Sequence, residues 1–267
     1  QRIARAGFGI AHALEADTQV RLRDWSLVRQ GGATPGSSRY AIRAQAEGFA
    51  LELDCARPQG VLLQGSGGLS RKGPDPQQAS YYYSQPQLAV TGAITLAGRR
   101  MPVQPLAAPA NRAWMDHEWG SGAIGRGTRG WDWFSVQLED GRDLMIYQLR
   151  GEDGVRTLQS SGTLVERDGR ATPLSPSEFS VEVTARWTSP RSKGTYPARW
   201  LLRVPKADLA LEVVPVLPDQ ELVTDRSTRV TYWEGACDVR APGSARPLGR
   251  AYVELTGYAG KGALGLF

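Results

Sequence analysis

Residues 114–120 place unusual acid-base capacity beside apolar surface: two carboxylates, one of the chain's two histidines and two indoles. A carboxylic acid against a tryptophan face can be partly desolvated, which raises its pKa and prepares it to give a proton at neutral pH. The candidate acids, their partner and the aromatic walls are Asp116, Glu118, His117, Trp114 and Trp119. The same residues also suit a structural loop that needs an aromatic plug and hydrogen-bonded caps.

A second group of residues could line a binding site for an apolar ligand. Tyrosine and tryptophan combine a large apolar ring with one polar atom, which suits recognition of a lipophilic molecule. The candidate ligand-binding residues, besides Trp114 and Trp119, are Tyr81, Tyr83, Trp131, Trp133, Tyr147, Trp233 and Glu234. Each also fits an ordinary strand, with the glutamate accepting a hydrogen bond from an indole.

The elements that must position these residues are strands. Period-two alternation bounded by turn residues recurs along the chain, which predicts an all-β protein. In the clearest hairpin, residues 131–138 and 144–149 flank Asp140-Gly141, a dipeptide that favours a tight turn. Trp131 and Trp133 share one face of this hairpin with polar residues, and a mixed face of that kind suits a barrel lumen that holds a ligand.

Other hairpins are predicted around Glu47-Gly48 and Asp168-Gly169, between residues 200 and 214, and between the last two strands. The irregular segment 59–115 contains six prolines at positions 74, 76, 86, 102, 105 and 109, which indicates a long loop, one short strand pair and a linker. We therefore predict two domains, residues 1–109 and 110–267. In this scheme, the segment 114–120 is a loop that could reach a barrel mouth.

Composition and charge exclude several functional classes. No apolar run approaches the roughly 18–20 residues that cross a bilayer as a helix. The net charge of +5 comes from scattered arginines without a basic stripe, so nucleic-acid binding is not expected. Cys55 and Cys237 form no C-x-x-C pair, which argues against zinc-ribbon and thioredoxin-like sites. They are either two buried free thiols or a long-range disulfide in an exported protein.

Other catalytic signatures are also missing. The glycine-rich run Gly65-Ser66-Gly67-Gly68 lacks the third glycine, the helix and the downstream acid of a dinucleotide loop, and prolines follow it closely. A serine hydrolase would need a G-x-S-x-G elbow, which this run is not. The two histidines, His12 and His117, lie far apart and have no zinc-ligand spacing. We expect no metal and no cofactor.

Five segments together resemble one known family, the lipocalin-like carotenoid hydratases. This family includes bacterial hydroxyneurosporene synthase, fungal kievitone hydratases and exported AttH-like bacterial proteins. The segments are residues 68–73, 80–84, 114–120, 130–134 and 232–235. The resemblance covers essentially the whole chain.

The resemblance implies two consecutive lipocalin-like antiparallel β-barrels with an apolar cavity for an isoprenoid or aromatic ligand. Family members usually carry a further N-terminal segment before the part that matches Gln1. The first barrel is therefore expected to be incomplete, with an open edge that an N-terminal fragment or a second chain would complete. The first residues, Gln1 to Arg5, lack the apolar core region of a signal peptide, and the resemblance implies a periplasmic or secreted protein.

The activity implied by the resemblance is the acid-catalysed addition of water to an isolated alkene. In this interpretation, Asp116 or Glu118 protonates the alkene, His117 orients the acid or the water, and indoles face the cation. Two alternatives use the same cavity: a non-catalytic periplasmic carrier of a lipophilic ligand, and a pericyclase-like enzyme that acts by positioning alone. Convergence of the three acid-base residues on the lumen would favour catalysis, and their pointing elsewhere would favour a carrier.

Overall fold

The computed structural model describes residues 2–31, 37–57, 59–104, 111–120, 127–224 and 229–259. Within these ranges the chain is built from strands, and helical structure is confined to two single 3-10 turns at Pro176–Glu178 and Pro205–Ala207. The strands form two ten-stranded antiparallel sheets. The all-β prediction is confirmed. No helix in the described part is long and apolar enough to cross a bilayer.

The first sheet contains the ten strands of the N-terminal part of the chain. They are β1 Ala11–Ala13, β2 Gln19–Leu22, β3 Trp25–Arg29, β4 Ser38–Ala46, β5 Phe49–Arg57, β6 Leu62–Leu63, β7 Leu69–Arg71, β8 Ala79–Leu96, β9 Arg99–Val103 and β10 Arg112–Trp119. The order is β1-β2-β3-β4-β5-β8-β10, and β6, β7 and β9 each pair with β8. This path does not close, so the sheet is an open half-barrel, as predicted.

The second sheet contains the ten strands that follow. They are β11 Thr128–Leu138, β12 Asp143–Gly151, β13 Ser161–Val165, β14 Ala171–Leu174, β15 Ser180–Thr188, β16 Thr195–Val204, β17 Leu209–Pro215, β18 Glu221–Val223, β19 Thr231–Arg240 and β20 Pro247–Thr256. Their order is β14-β13-β12-β11-β20-β19-β17-β16-β15, with β18 paired to β19. Strands β11 and β20 are therefore neighbours although they are distant in sequence.

The chain divides into two compact units whose bounds differ from the two predicted domains. The first unit comprises residues 1–62 and 84–116, and the second comprises residues 63–83 and 117–267. Both β8 and β10 contribute residues to each unit. The predicted boundary near Pro109 lies outside the described residues. The segment 63–83 belongs with the second unit, which sequence periodicity did not indicate.

The predicted hairpins form where glycine permits a tight turn. Strands β4 and β5 pair from Ser38 with Arg57 to Ala46 with Phe49, and the intervening Gly48 has a φ of +72°. Gly141 has a φ of +89° between β11 and β12. A left-handed backbone conformation of this kind costs little only for glycine.

Segment 114–120 differs from the prediction, because most of it is strand rather than loop. Strand β10 extends from Arg112 to Trp119. Its inward positions Ala113 and Met115 pack on the core of the first sheet, while the polar residues alternate with them. This period-two pattern makes the segment a strand in spite of its many polar side chains. The irregular region also contains the 18-residue strand β8, much longer than the predicted short pair.

The second unit has an interior filled by its own side chains. Phe134, Trp200 and Trp233 are fully buried there with aliphatic residues of most of the strands. The ring of Trp200 lies 5.6 Å from that of Phe134 and 5.8 Å from that of Trp233. Protein interiors packed in this way leave little room for a ligand.

The first unit has a smaller core. Its main cluster of buried apolar residues is Tyr40, Cys55, Leu88 and Val90. None of the residues of β1, β2 and β3 is fully buried, so these described strands contribute only half-covered surface. Cys55 and Cys237 are both buried free thiols. Burial raises the pKa of Cys55 to about 11 and that of Cys237 to about 12, which makes both poor nucleophiles at neutral pH.

The packed interior predicts a large cost for removing its central indole. Trp200→Ala should lower the free energy of unfolding by about 3–5 kcal/mol, because the surrounding rings cannot close the cavity. Val155→Ala, at a side chain that is 63% exposed, should change it by less than about 0.5 kcal/mol. Urea denaturation followed by circular dichroism measures both. A loss below about 1 kcal/mol for Trp200→Ala would show that the interior is loosely packed.

Candidate functional site

Polar and aromatic residues of the second sheet lie on the face opposite its packed interior. In β11, Phe134 and Val136 point into the core, so Trp131 and Trp133 point the other way. We call this side the outer face; its members from four strands are Trp131, Trp133, Tyr147, Tyr232, Glu234, Tyr252 and Glu254. Trp131 and Trp133 therefore lie on the face opposite the packed interior of this sheet, and their predicted role in ligand binding stays a prediction.

A pair of carboxyl groups lies at the centre of the outer face. Glu234 of β19 is directly opposite Glu254 of β20 in the strand register. Residues paired in this way have Cβ atoms about 4.5–5.5 Å apart. The indole N–H of Trp131 donates a hydrogen bond to Oε1 of Glu254 at 2.6 Å. This hydrogen bond and the strand register fix the position of the Glu254 carboxyl group.

The two carboxyl groups have different environments. The Glu234 side chain is half-buried and makes no hydrogen bond or ion pair with the rest of the described chain. Burial raises its pKa above the ordinary value of 4.5. A pair of carboxyl groups whose surroundings differ in this way is typical of a general acid beside a general base.

Aromatic rings surround this pair. The ring of Trp131 meets that of Tyr232 edge to face, with centroids 6.4 Å apart. Tyr252 is two residues from Glu254 on the same face of β20, and burial, followed by the charges of Glu234 and Glu254, raises its pKa to about 12. The Tyr252 side chain is 43% exposed, so the pair remains accessible beside it.

A buried lysine lies within the same unit, close to Glu118. Lys72 is 8% exposed, and its Nζ is 2.9 Å from Oε1 of Glu118. The ammonium group also lies 4.2 Å from the ring centre of Tyr147 and 5.0 Å from that of Tyr82. The hydroxyl of Ser80 donates a further hydrogen bond to Glu118. Glu118 is therefore engaged by a lysine and a serine of the same unit.

Trp133 and Tyr147 connect the outer face to the segment 63–83. The indole N–H of Trp133 donates to the hydroxyl of Tyr82 at 3.1 Å. The Tyr147 hydroxyl donates to the backbone carbonyl of Arg71 at 3.2 Å and lies 3.1 Å from the Ser70 hydroxyl. Trp133 and Tyr147 therefore anchor this segment on the sheet.

His117 lies on the opposite side of its strand from Glu118, among exposed aromatic rings. Its Nδ1 is 3.0 Å from the Tyr83 hydroxyl, and its ring centre is 4.8 Å from that of Trp119. Tyr81 stacks on Trp119 at 5.6 Å. We call Tyr81, Tyr83, His117 and Trp119 the aromatic cluster. Four residues of the sequence prediction thus meet, but without a carboxylate among them.

Asp116 and Trp114 belong to the first unit and contact each other. Oδ1 of Asp116 accepts hydrogen bonds from the Ser84 hydroxyl at 2.6 Å and from the Trp114 indole N–H at 2.7 Å. These two donors fix the position of the carboxyl group. Asp116, His117 and Glu118 therefore each have their own described partners.

Trp233 has a structural position rather than the ligand-binding one predicted. It is fully buried, and its indole N–H donates to the backbone carbonyl of Pro218 at 2.8 Å. Because neighbouring strand residues alternate between faces, Glu234 lies on the outer face while Trp233 fills the interior.

Sequence reasoning missed Lys72, Tyr82, Tyr252 and Glu254. Period-two alternation in residues 81–83 places Tyr82 on the opposite face of its strand from Tyr81 and Tyr83. The sequence alone could therefore have distinguished Tyr82 from its two neighbours. The pairing of Glu254 with Glu234 depends on strand register, which no local pattern defines.

The comparisons with known proteins agree with this fold. The AttH-like family model matches residues 1–258. The chain is similar to a candidate AttH protein from Nitrosomonas europaea, whose crystal structure is known. The two sequences are 38% identical and the TM-score is 0.83. The match covers 96% of this chain and 75% of the other. No curated protein matches the chain. The resemblance inferred from the sequence is confirmed.

The raised pKa of Glu234 predicts a pH dependence of stability. Between the ordinary value of 4.5 and the raised folded value, the folded state binds more protons than the unfolded state. Stability therefore falls as the pH rises through this window. Glu234→Gln should remove that slope, whereas Glu182→Gln, on exposed β15, should keep it. Urea unfolding at a series of pH values measures this, and identical slopes in the wild type and Glu234→Gln would contradict the burial of Glu234.

Proposed function

The chain belongs to the AttH-like family, and from this premise we propose that it is a hydratase-like enzyme acting at the Glu234–Glu254 pair. The substrate is an isoprenoid or aromatic molecule with an isolated alkene, as the resemblance to carotenoid hydratases implies. The observation that carries the proposal is the pairing of one carboxyl group of raised pKa with one anchored by an indole. Aromatic rings flank both.

The reaction needs a proton donor, a cation shelter and a proton acceptor. The Glu234 carboxylic acid gives its proton to one alkene carbon, and the π electrons form the new C–H bond. Water attacks the cation on the adjacent carbon, and its extra proton passes to the Glu254 carboxylate. Transfer of that proton through solvent to Glu234 restores both groups. The net change is alkene plus water to alcohol, with no redox step.

Aromatic faces favour this reaction because they stabilise the cation. The rings of Trp131 and Tyr232 lie beside the carboxyl pair, and Tyr252 adds a third ring. A cation over such a face gains about 0.5–2 kcal/mol, with the larger value in desolvated sites. The competing reaction is loss of a proton from the cation, which returns the alkene. Attack by water, assisted by the nearby base, must be faster than this loss.

The original candidate acids fit this role less well. Glu118 is paired with Lys72, and Asp116 accepts two hydrogen bonds. In the proposal, the aromatic cluster around His117 instead binds the apolar body of a ligand. Its open stacking surface, with Trp119 49% exposed, supports this.

A second candidate function is a non-catalytic carrier of a lipophilic ligand. The observation that favours it is the separation of Asp116, His117 and Glu118 into three sets of partners. A pericyclase-like enzyme would need only the aromatic surface to shape its substrate. A periplasmic or secreted location, proposed from the resemblance, suits all three functions.

The hydratase proposal predicts that Glu234→Gln abolishes water addition while ligand binding persists. Loss of a general acid should lower the rate by about 100-fold or more. The assay follows incorporation of ¹⁸O from labelled water into an acyclic polyene with a trisubstituted terminal alkene, by mass spectrometry. Glu182→Gln is the matched control and should keep full activity.

Three outcomes separate the functions. Undiminished ¹⁸O incorporation by Glu234→Gln would overturn the acid assignment. Tight polyene binding without ¹⁸O incorporation by the wild type would favour the carrier. A rearranged product of unchanged mass would favour the pericyclase.

A further inference from the structure

An open cavity of about 380 Å³ lies within the second unit, and neither Glu234 nor Glu254 is among the residues that line it. Its walls come from the glycine-rich turn and β7, from β12 and from the loop before β13. The residues that line it include Ser66, Leu69, Arg71, Leu158, Gln159 and Ser161. The volume lies within the range of about 300–1,000 Å³ found for small-molecule sites.

The charge of this cavity is positive. Arg71 is the one charged residue among those that line it, and no carboxylate lines it. The Arg71 guanidinium makes no hydrogen bond or ion pair with the described part of the chain. Arg71 is exposed, and some other arginines of this unit have carboxylate partners, such as Arg150 with Asp132 and Arg203 with Glu182. A guanidinium facing a cavity without a partner selects an anion.

Hydroxyl and amide groups add uncharged donors. The side chains of Ser66, Gln159 and Ser161 line the cavity and make no side-chain hydrogen bond with other described residues. Ser160, in contrast, is used internally, since its hydroxyl accepts the Leu149 N–H at 3.0 Å. Three donors therefore remain available beside Arg71.

The local backbone is built to hold these groups in place. Gly65 has a φ of +64°, and a Cβ there would lie 2.3 Å from the Leu69 carbonyl oxygen, so only glycine fits. Ser66 and Leu69 exchange backbone hydrogen bonds of 3.0 and 3.1 Å across the turn. The Tyr147 hydroxyl fixes the carbonyl of Arg71 from the other side.

The remaining walls are apolar. Leu69, Pro74, Leu158 and Pro176 line the cavity, and Leu158 is 86% exposed at its edge. An apolar wall beside a guanidinium fits an organic tail that ends in a carboxylate better than it fits a bare inorganic ion. We propose that this cavity is a binding site for a small organic carboxylate, held by Arg71 through a bidentate ion pair.

Isothermal titration calorimetry with octanoate tests the site, with octan-1-ol as the uncharged probe and inorganic phosphate as the bare oxyanion. Octanoate should bind the wild type with one-to-one stoichiometry, and Arg71→Gln should weaken it by at least about tenfold. Arg71→Lys should recover only part of the affinity, because an ammonium cannot form the bidentate pair. Arg170→Gln, at an exposed arginine of the same unit outside the cavity, should bind as the wild type does.

A second variant distinguishes loss of the binding group from misfolding of the Arg71→Gln protein. Leu158→Glu changes an exposed side chain and places a competing carboxylate at the cavity edge, so it should also weaken octanoate binding. Equal octanoate affinity in the wild type and Arg71→Gln would overturn the proposal. So would equal affinity for octan-1-ol, or phosphate binding as tight as octanoate binding.

Discussion

The packing of the second sheet's interior decides where chemistry can occur in this unit. Phe134, Trp200 and Trp233 fill the space that a ligand would occupy in a hollow barrel. Period-two alternation then sends every second residue of β11, β19 and β20 to the outer face. A single change of register would exchange the two sets, placing glutamates in the core and indoles outside. The paired carboxyl groups depend on this arrangement.

Desolvation distinguishes the chemical roles of the carboxylates. Glu234 is half-buried without a donor, so burial raises its pKa. Glu118 has a buried ammonium and a hydroxyl, and Asp116 has a hydroxyl and an indole. All three lie near tryptophan or tyrosine in sequence or space. Proximity to an aromatic ring therefore does not identify an acid, because these carboxyl groups differ in their hydrogen-bond and ion-pair partners.

Much of the fold follows from local sequence signals. Turns with Gly48 and Gly141 and the alternation around them predict the hairpins, because those preferences act within a few residues. The faces of Trp131 and Trp133 were also predictable, but not which face is the interior. That depends on Trp200 and Trp233, which come from distant strands. The Lys72–Glu118 and Glu234–Glu254 pairs likewise depend on long-range strand register. The strand at 114–120 was not predicted because many of its residues are polar.

The central claim is that a lipophilic ligand meets the outer face of the second sheet rather than its interior. Photo-crosslinking with a benzophenone-bearing isoprenoid, followed by peptide mapping, tests this most directly. The account predicts labels on peptides that contain Trp131, Tyr232 or Tyr252, and loss of these labels when an unmodified isoprenoid competes. Competed labelling confined to interior residues such as Trp200 and Trp233, or to residues of the first unit, would contradict it.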